Sequence, residues 1–352
     1  FTLGLKSKIN TNAKWKNIEE LLSSLSGLTI KRKKSNFIGL RMGRPEKANI
    51  RKMKPPVHVL FPISNSGGIR RDIIKASKDD SLKIEIITII CPICKSNSLG
   101  RICNKCGEKT VIVKTCPRCK REIKGKTCGS CKINGLPYSY KQFPLQTLLS
   151  SAIKKIGYIP RPPLKGVKVL MNSTRIAEPL EKGILRNKHN LSIYRDGTIR
   201  FDTTNAPLTH FRPNQINTSI IDLIKKGYKF DIHGEPLKKD NQILELFVQD
   251  IIIPESAKEH LLNTSNFLDE LLVKFYDHDS YYNLKKKEDL LGHLVVGLAP
   301  HTSVGIIGRI IGFTKSHVCY AHPLWHSAKR RDCDGDEDTI ILLLDVLLNF
   351  SK

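Results

Sequence analysis

Trp325-His326-Ser327-Ala328-Lys329-Arg330-Arg331-Asp332-Cys333-Asp334-Gly335-Asp336-Glu337-Asp338 sets four aspartates at alternate positions, directly after three consecutive cations. In an extended segment alternate residues share one side, so these carboxylates project together. Gly335 permits a tight backbone turn, which lets them converge on one ion. Hard oxygen ligands select Mg²⁺, and the alternating carboxylates, Asp338 among them, are the candidates to hold it. Carboxylate-held Mg²⁺ in positive surroundings suits two-metal nucleotidyl transfer, where one ion activates a primer 3′-hydroxyl and the other clamps a triphosphate. An EF-hand starting at Asp334 is excluded. Its sixth position is Thr339 instead of Gly, and Ile-Ile-Leu-Leu-Leu follows. A plain acidic turn capping a helix from Thr339 onward stays open as the simpler reading.

Working outward, eight of the ten cysteines fall into four C-x-x-C pairs: Cys91/Cys94, Cys103/Cys106, Cys116/Cys119 and Cys128/Cys131. Each C-x-x-C turn aims two sulfurs at one point, and two turns complete a tetrahedral zinc site of four thiolates. Eight thiolates therefore fit two zinc ions. A disulfide framework suits a small secreted chain, not one of this size without a secretion signal. Four-cysteine iron–sulfur ligation is a lesser alternative. Neighbouring turns are expected to pair, though crossed pairing satisfies the same spacing. Residues 91–132 carry a formal charge of +9, which two zinc tetrathiolate sites reduce to about +5. Cys319 and Cys333 are left over and read as small apolar residues.

The whole chain is basic, with 59 Lys and Arg against 33 Asp and Glu in 352 residues, a formal charge of +26. Such a surface is expected beside a polyanion, most often nucleic acid. At 40% hydrophobic residues the chain is ordinary for a globular protein, which excludes general disorder. Its longest stretch free of Asp, Glu, Lys and Arg, 290–308, contains four glycines and Pro300, so a membrane span is not expected. A cytoplasmic location follows as the expectation. There is no βαβ rhythm and no G-x-G-x-x-G or P-loop motif, which argues against Rossmann and P-loop enzymes. Phe1 and Lys352 both read as cut ends, so a piece of a longer protein is expected.

Along the chain, residues 1–34 read as the tail of a preceding domain, with a helical pattern from Ile18 to Leu28. Val57 to Phe61 alternates as a strand introduced by Pro55 and Pro56. Gly67-Gly68 precedes a short helix, Ile69 to Ser77, and could offer N–H groups to phosphate. Ile84 to Ile90 is β-rich. Pro137 to Pro163 reads as a proline-rich linker, Leu191 to Asp202 as a hairpin turning at Asp196-Gly197, and Pro254 to Phe275 as a helix. Glycine-broken β-rich runs from Leu294 to Tyr320 suit a barrel.

YAHPLWHSAKRRDCDGDEDTIILLLDVLLNFSK closely resembles the large-subunit family of archaeal family-D DNA polymerases. The resemblance extends to FIGLRMGRPEKANIRKMKPPVHVLFPI, the C-x-x-C array, EPLEKGILR, DGTIRFDTTNAPLTHFRP and LLGHLVVGLAPHTSVGIIGRIIGF, nearly everything from Asn36 onward. It implies an α+β, β-rich fold with two double-psi β-barrels of the multisubunit RNA polymerase type and an inserted two-zinc module. The implied parse is 35–90 and 133–253 for the first barrel, 91–132 for the zinc module, 254–290 for a helical linker, and 291–352 for a truncated second barrel. It further implies DNA-templated DNA synthesis from dNTPs on primer–template DNA, with Asp334 and Asp336 of the DGD motif as Mg²⁺ ligands. A small 3′–5′ exonuclease subunit and a sliding clamp are the implied partners, contacted mostly by segments absent here. Asp332 departs from the family pattern, in which Asn precedes the Cys.

Arg41, Arg44, Lys47, Arg51, Lys52 and Lys54 place six cations in fourteen residues. In the resembled family this segment lies opposite the aspartates, so these side chains are expected to neutralise the triphosphate or the template, with Arg44 and Lys47 in catalytic roles. Lys329 and Arg330 are expected to act beside the metal, and Arg331 and Arg309 to contact phosphate. Salt bridging is the simpler role for each. His322 and His326, four apart, could share a metal, but core roles suit them and His293 and His301 better. Two other readings stay open: an RNA polymerase-like subunit, separable by sugar choice, and a non-catalytic zinc-stabilised nucleic-acid-binding fragment. The isolated fragment is expected to bind DNA weakly and turn over poorly.

Overall fold

The computed structural model describes residues 17–26, 39–41, 52–79, 82–100, 103, 105–142, 144–300, 302, 304–332 and 335–350. Residues 1–38 form a unit of their own. Its described part is helix α1 (Ile18–Ser26), which the Asn17 side chain caps by accepting the Glu20 N–H at 2.8 Å.

The remaining unit begins with β1 (Gly39–Arg41) and β2 (Lys52–Val57). Pro55 and Pro56, expected to precede a strand, lie inside β2. Prolines are tolerated there because β2 has a single neighbour, the short strand β10. Val57 to Phe61 still alternates in burial, but its backbone meets residues 165–167 irregularly. The expected helix over 69–77 shrinks to α2 (Ile73–Ala76). Asp72 caps it, accepting from the N–H groups of Ile74 and Leu164, so an acidic side chain fills the place proposed for phosphate.

A ribbon of β3 (Lys83–Ile87) and β9 (Tyr138–Gln142) closes the base of the cysteine module. Between its arms lie one small sheet of β4 (Ile89–Ile90), β5 (Asn97–Ser98) and β6 (Val111–Ile112), and another of β7 (Lys114–Thr115) and β8 (Glu122–Ile123). Residues 137–163, a linker on sequence grounds, hold instead β9 and helix α3 (Leu145–Ile156). Leu145, Leu149, Ala152 and Ile156 are its buried face, at helical spacing. The flanking prolines had obscured that period. Helix α4 (Leu180–Lys188) packs on α3. The expected hairpin does turn at Gly197 (φ +86°), but its arms do not pair along their length. β10 (Ile193–Tyr194) joins β2, and β11 (Phe201–Pro207) enters the main sheet.

Next come β12 (His210–Phe211), α5 (Ile220–Lys225) and β13 (Leu244–Glu245), then β14 (Asp250–Pro254) and the long helix α6 (Ser256–Phe275). The last segment adds β15 (Leu294–Leu298), β16 (Val304–Thr314), β17 (Val318–Ala321), α7 (Pro323–Ala328), β18 (Glu337–Leu342) and α8 (Leu343–Phe350). The main sheet closes on itself in the order β16-β14-β17-β11-β18-β15, with β15 returning to β16 and β1 added outside β16. Two pairs, β14–β16 and β11–β17, are parallel, and the other ladders are antiparallel. Among the described residues this is one closed six-stranded barrel. Its strands come from both sides of residue 291, where the sequence suggested a boundary between two barrels. Strand pairing across more than a hundred residues leaves no local signature, so the parse could not anticipate it. No helix of the described residues is long and apolar enough to cross a membrane.

Candidate active site and metal centres

The acidic segment hangs between α7 and β18, and both are anchored in the barrel. Trp325 of α7 is fully buried and its indole N–H donates to the Ile307 carbonyl at 3.1 Å. A Cβ at Gly297 would lie 2.2 Å from the indole, so only glycine on β15 leaves the notch this ring fills. His326 is equally buried and sits 3.0 Å, through Nε2, from the carbonyl of Ala206 on β11. That contact makes Nε2 the protonated nitrogen. Burial, followed by the nearby Lys329 charge, lowers its pKa to about 4, so the ring is neutral. His322 instead caps α7, accepting the Leu324 N–H. The two histidines therefore do not form a shared metal site.

Lys329 has no exposed surface. Its ammonium binds the Asp338 carboxylate and lies 3.6 Å from the centre of the Trp325 ring. Asp338 is also fully buried and accepts the Thr339 N–H at 3.0 Å. Named as catalytic cation and metal ligand on sequence grounds, the two are committed to each other inside the protein. The alternation that suggested four aspartates on one side fails because β18 begins at Glu337, and its pleat turns Asp338 inward.

Asp336 behaves otherwise. Its carboxylate is 36% exposed, and Arg331 Nε lies 3.4 Å away. Arg330 and Asp332 are exposed. Asp334 and Cys333 lie outside the described residues, as do Arg44, Lys47, Arg51 and His301. The side chains of Arg41 and Lys52 are also outside the description, although their backbones lie in β1 and β2. Lys54 is exposed on β2. Arg309, expected to reach phosphate, instead holds Asp250 with two hydrogen bonds (2.8 and 2.7 Å) and donates to the Lys226 carbonyl. A bidentate pair with a carboxylate that is 3% exposed outcompetes a solvent phosphate for this guanidinium.

One residue at the site escaped the sequence. Asn205 of β11 is 1% exposed and makes three bonds to the acidic segment: Oδ1 accepts the Gly335 N–H (3.1 Å), Nδ2 donates to the Asp332 carbonyl (2.7 Å), and its own N–H donates to the Asp336 carbonyl (2.9 Å). Its partners lie about 130 positions further on, so no local pattern marks it. Among the described residues the loop presents a solvent-accessible acidic side chain near Asn205, that of Asp336. It stands on a fixed backbone, with Gly335 held at φ +96°.

The eight array cysteines form two groups, Cys91/Cys94/Cys103/Cys106 and Cys116/Cys119/Cys128/Cys131, with the ligand atoms of each within 4.8 Å of one another. Neighbouring turns therefore pair, and crossed pairing is excluded. All eight thiols are free. Sγ separations of 3.4 Å (Cys91–Cys106), 3.5 Å (Cys94–Cys103) and 3.7 Å (Cys119–Cys128) approach the edge of about 3.8 Å in a tetrahedron with metal–sulfur bonds near 2.3 Å. The same backbone device builds all four turns. The N–H four residues after the first Cys bonds back to that Cys carbonyl, and the Cys N–H bonds to the carbonyl five residues on. The closing residues Lys95, Gly107, Lys120 and Lys132 all have φ between +56° and +74°. A hydrogen bond with Ser96 and backbone N–H groups hold the Cys103 thiol down to about 6. Each group could hold a metal ion.

Residues 158–352 match the family model "DNA polymerase II large subunit DP2, catalytic domain", and residues 1–125 match the central domain of the same subunit. Curated relatives named DNA polymerase II large subunit include that of Methanothermobacter thermautotrophicus, 45% identical over 95% of this chain and 28% of the relative. The protein from Cenarchaeum symbiosum is 47% identical over 95% of the chain and 30% of its own length, and that from Archaeoglobus fulgidus 46% over 99% and 32%. The chain thus spans less than a third of these relatives' length.

Proposed function

The chain belongs to the family of the DNA polymerase II large subunit, and from that membership we propose that it is the catalytic core of a DNA-templated DNA polymerase, the acidic loop being its metal-binding site. The observation that carries the reading is the placing of Asp336, half-exposed on a loop fastened at both ends to a closed barrel. Catalytic carboxylates need this rigidity, because misplacement by about 1 Å costs orders of magnitude in rate. Asp336, with Asp334 beside it in sequence, would hold Mg²⁺. Bound there, the ion would supply charge neutralisation at the phosphoryl oxygens and a lowered pKa for the primer hydroxyl. Arg331 and exposed Arg330 would meet phosphate oxygens at the loop's flank. Buried Lys329 and Asp338 hold the loop's base.

The two parallel pairs within the six-stranded barrel support a double-psi topology for it. The cysteine groups suit Zn²⁺, a soft-ligand tetrahedral ion, as a structural clip. The basic chain suits primer–template DNA and dNTPs as substrates.

Asp336→Asn in the complete large subunit should reduce Mg²⁺-dependent primer extension by at least about a thousandfold, with primer–template binding retained. Extension within tenfold of wild type would overturn the site. Loss of template binding together with activity would favour a nucleic-acid-binding role for this loop.

A further inference from the structure

We propose that Asn205 is the positioning residue of the acidic loop, setting the backbone that aims Asp336 at the bound cation; this rests on the polymerase reading above. Every side-chain hydrogen bond recorded for Asn205 among the described residues goes to the main chain of this loop and none to the barrel it stands on. Its amide binds the Asp332 carbonyl and the Gly335 N–H at once. Its N–H then fixes the Asp336 carbonyl, the next link of the loop. A carboxamide is the only side chain of this size that donates and accepts in one plane. Aspartate would lose the donor, and leucine, of similar shape, would lose both.

Asn205 is itself held from below. It sits where β11 passes from pairing with β18 (Thr204↔Glu337) to pairing with β17 (Asn205↔Cys319). The next carbonyl, that of Ala206, carries the contact with His326. The loop's geometry is thus transmitted from α7 through β11 to Gly335, whose φ of +96° is one that side chains rarely adopt. Loss of the amide frees Gly335 to relax, and the Asp336 carboxylate loses its aim. A barrel residue with a purely structural role would instead lower overall stability and leave cation affinity unchanged.

The test uses the complete large subunit, with Asn205→Leu, the milder Asn205→Ser in case the leucine variant does not fold, and Asp336→Asn as reference. Three quantities are read: amide hydrogen exchange of residues 331–337, Mn²⁺ binding by electron paramagnetic resonance, and the Mg²⁺ concentration for half-maximal extension. The expected result is exchange at least tenfold faster in this segment, at least tenfold weaker Mn²⁺ binding and a correspondingly higher Mg²⁺ requirement. Primer–template affinity should stay within twofold. Unchanged exchange would overturn the pinning. Faster exchange with unchanged Mn²⁺ binding would overturn the positioning role and leave a structural one. Wild-type Mn²⁺ binding in Asp336→Asn would instead overturn the metal-site reading, and this proposal with it.

Discussion

At the scale of single residues, the site was legible where chemistry is local and hidden where it depends on orientation. The Asp-Gly-Asp spacing singles out Asp336 as a candidate because the glycine and the carboxylates lie together in the sequence. The same spacing misplaces Asp338 and Lys329, since only the pleat of β18 decides which aspartate faces in. Their pairing has an energetic consequence. Both are fully buried, so removing one partner strands the other's charge at a cost of about 3–5 kcal/mol. Lys329→Met should therefore lower the unfolding free energy by that order. The double variant Lys329→Met/Asp338→Asn should recover most of the loss, because a neutral amide can still accept the Thr339 N–H. Urea unfolding of the three proteins checks this, and a double variant as unstable as the single one would show that the pair is not the source. Cys319 belongs to the same interior. Burial, then the Asp338 charge, pushes its thiol up to about 12, which makes it inert.

Among elements, the cysteine module was the most legible part of the fold and α3 the least. Four C-x-x-C turns reveal themselves because the ligands that define each turn lie within four residues. The helical period of α3 was masked by its proline neighbours, and the strands of 191–207 were misassigned because each pairs with a distant segment instead of its neighbour. The module's sheets share no strand with the barrel, being set apart by the β3–β9 ribbon. Each cysteine group should therefore fail independently. Cys128→Ser is expected to reduce bound zinc from about two ions per chain to about one. Hydrogen exchange should rise in residues 111–137 while the protection of β14–β18 persists. Metal analysis with exchange mass spectrometry tests both points, and loss of barrel protection would show that the module is part of the barrel's fold and not a clip.

For the whole molecule, the fold's response to pH follows from which titratable groups it encloses, something composition could not reveal. Burial, as the first cause in each case, lowers the pKa of His58, His189, His260, His293, His322 and His326, with His58 and His326 reaching about 4. The unfolded chain binds protons on these rings near pH 6.5 that the folded protein refuses. Stability from these groups is therefore present above that pH and is lost as pH falls toward 4. Asp345 works in the opposite direction. Burial raises its carboxyl to about 6 even though it accepts the Ile199 N–H, so the folded state holds a proton that the unfolded chain releases above about pH 4. Acidification from pH 7 to 4 thus strengthens the fold through Asp345 while the histidines weaken it. With six groups against one, the net effect should be acid destabilisation. Asp345→Asn should steepen it, by up to about 1.4 kcal/mol for each pH unit between 6 and 4. Urea midpoints of wild type and variant at pH 7.5, 6 and 5 measure this, and because both proteins carry the same cysteine groups, metal release cancels from the difference. Parallel profiles would mean that Asp345 is charged in the folded protein and that α8 is docked on a solvated carboxylate.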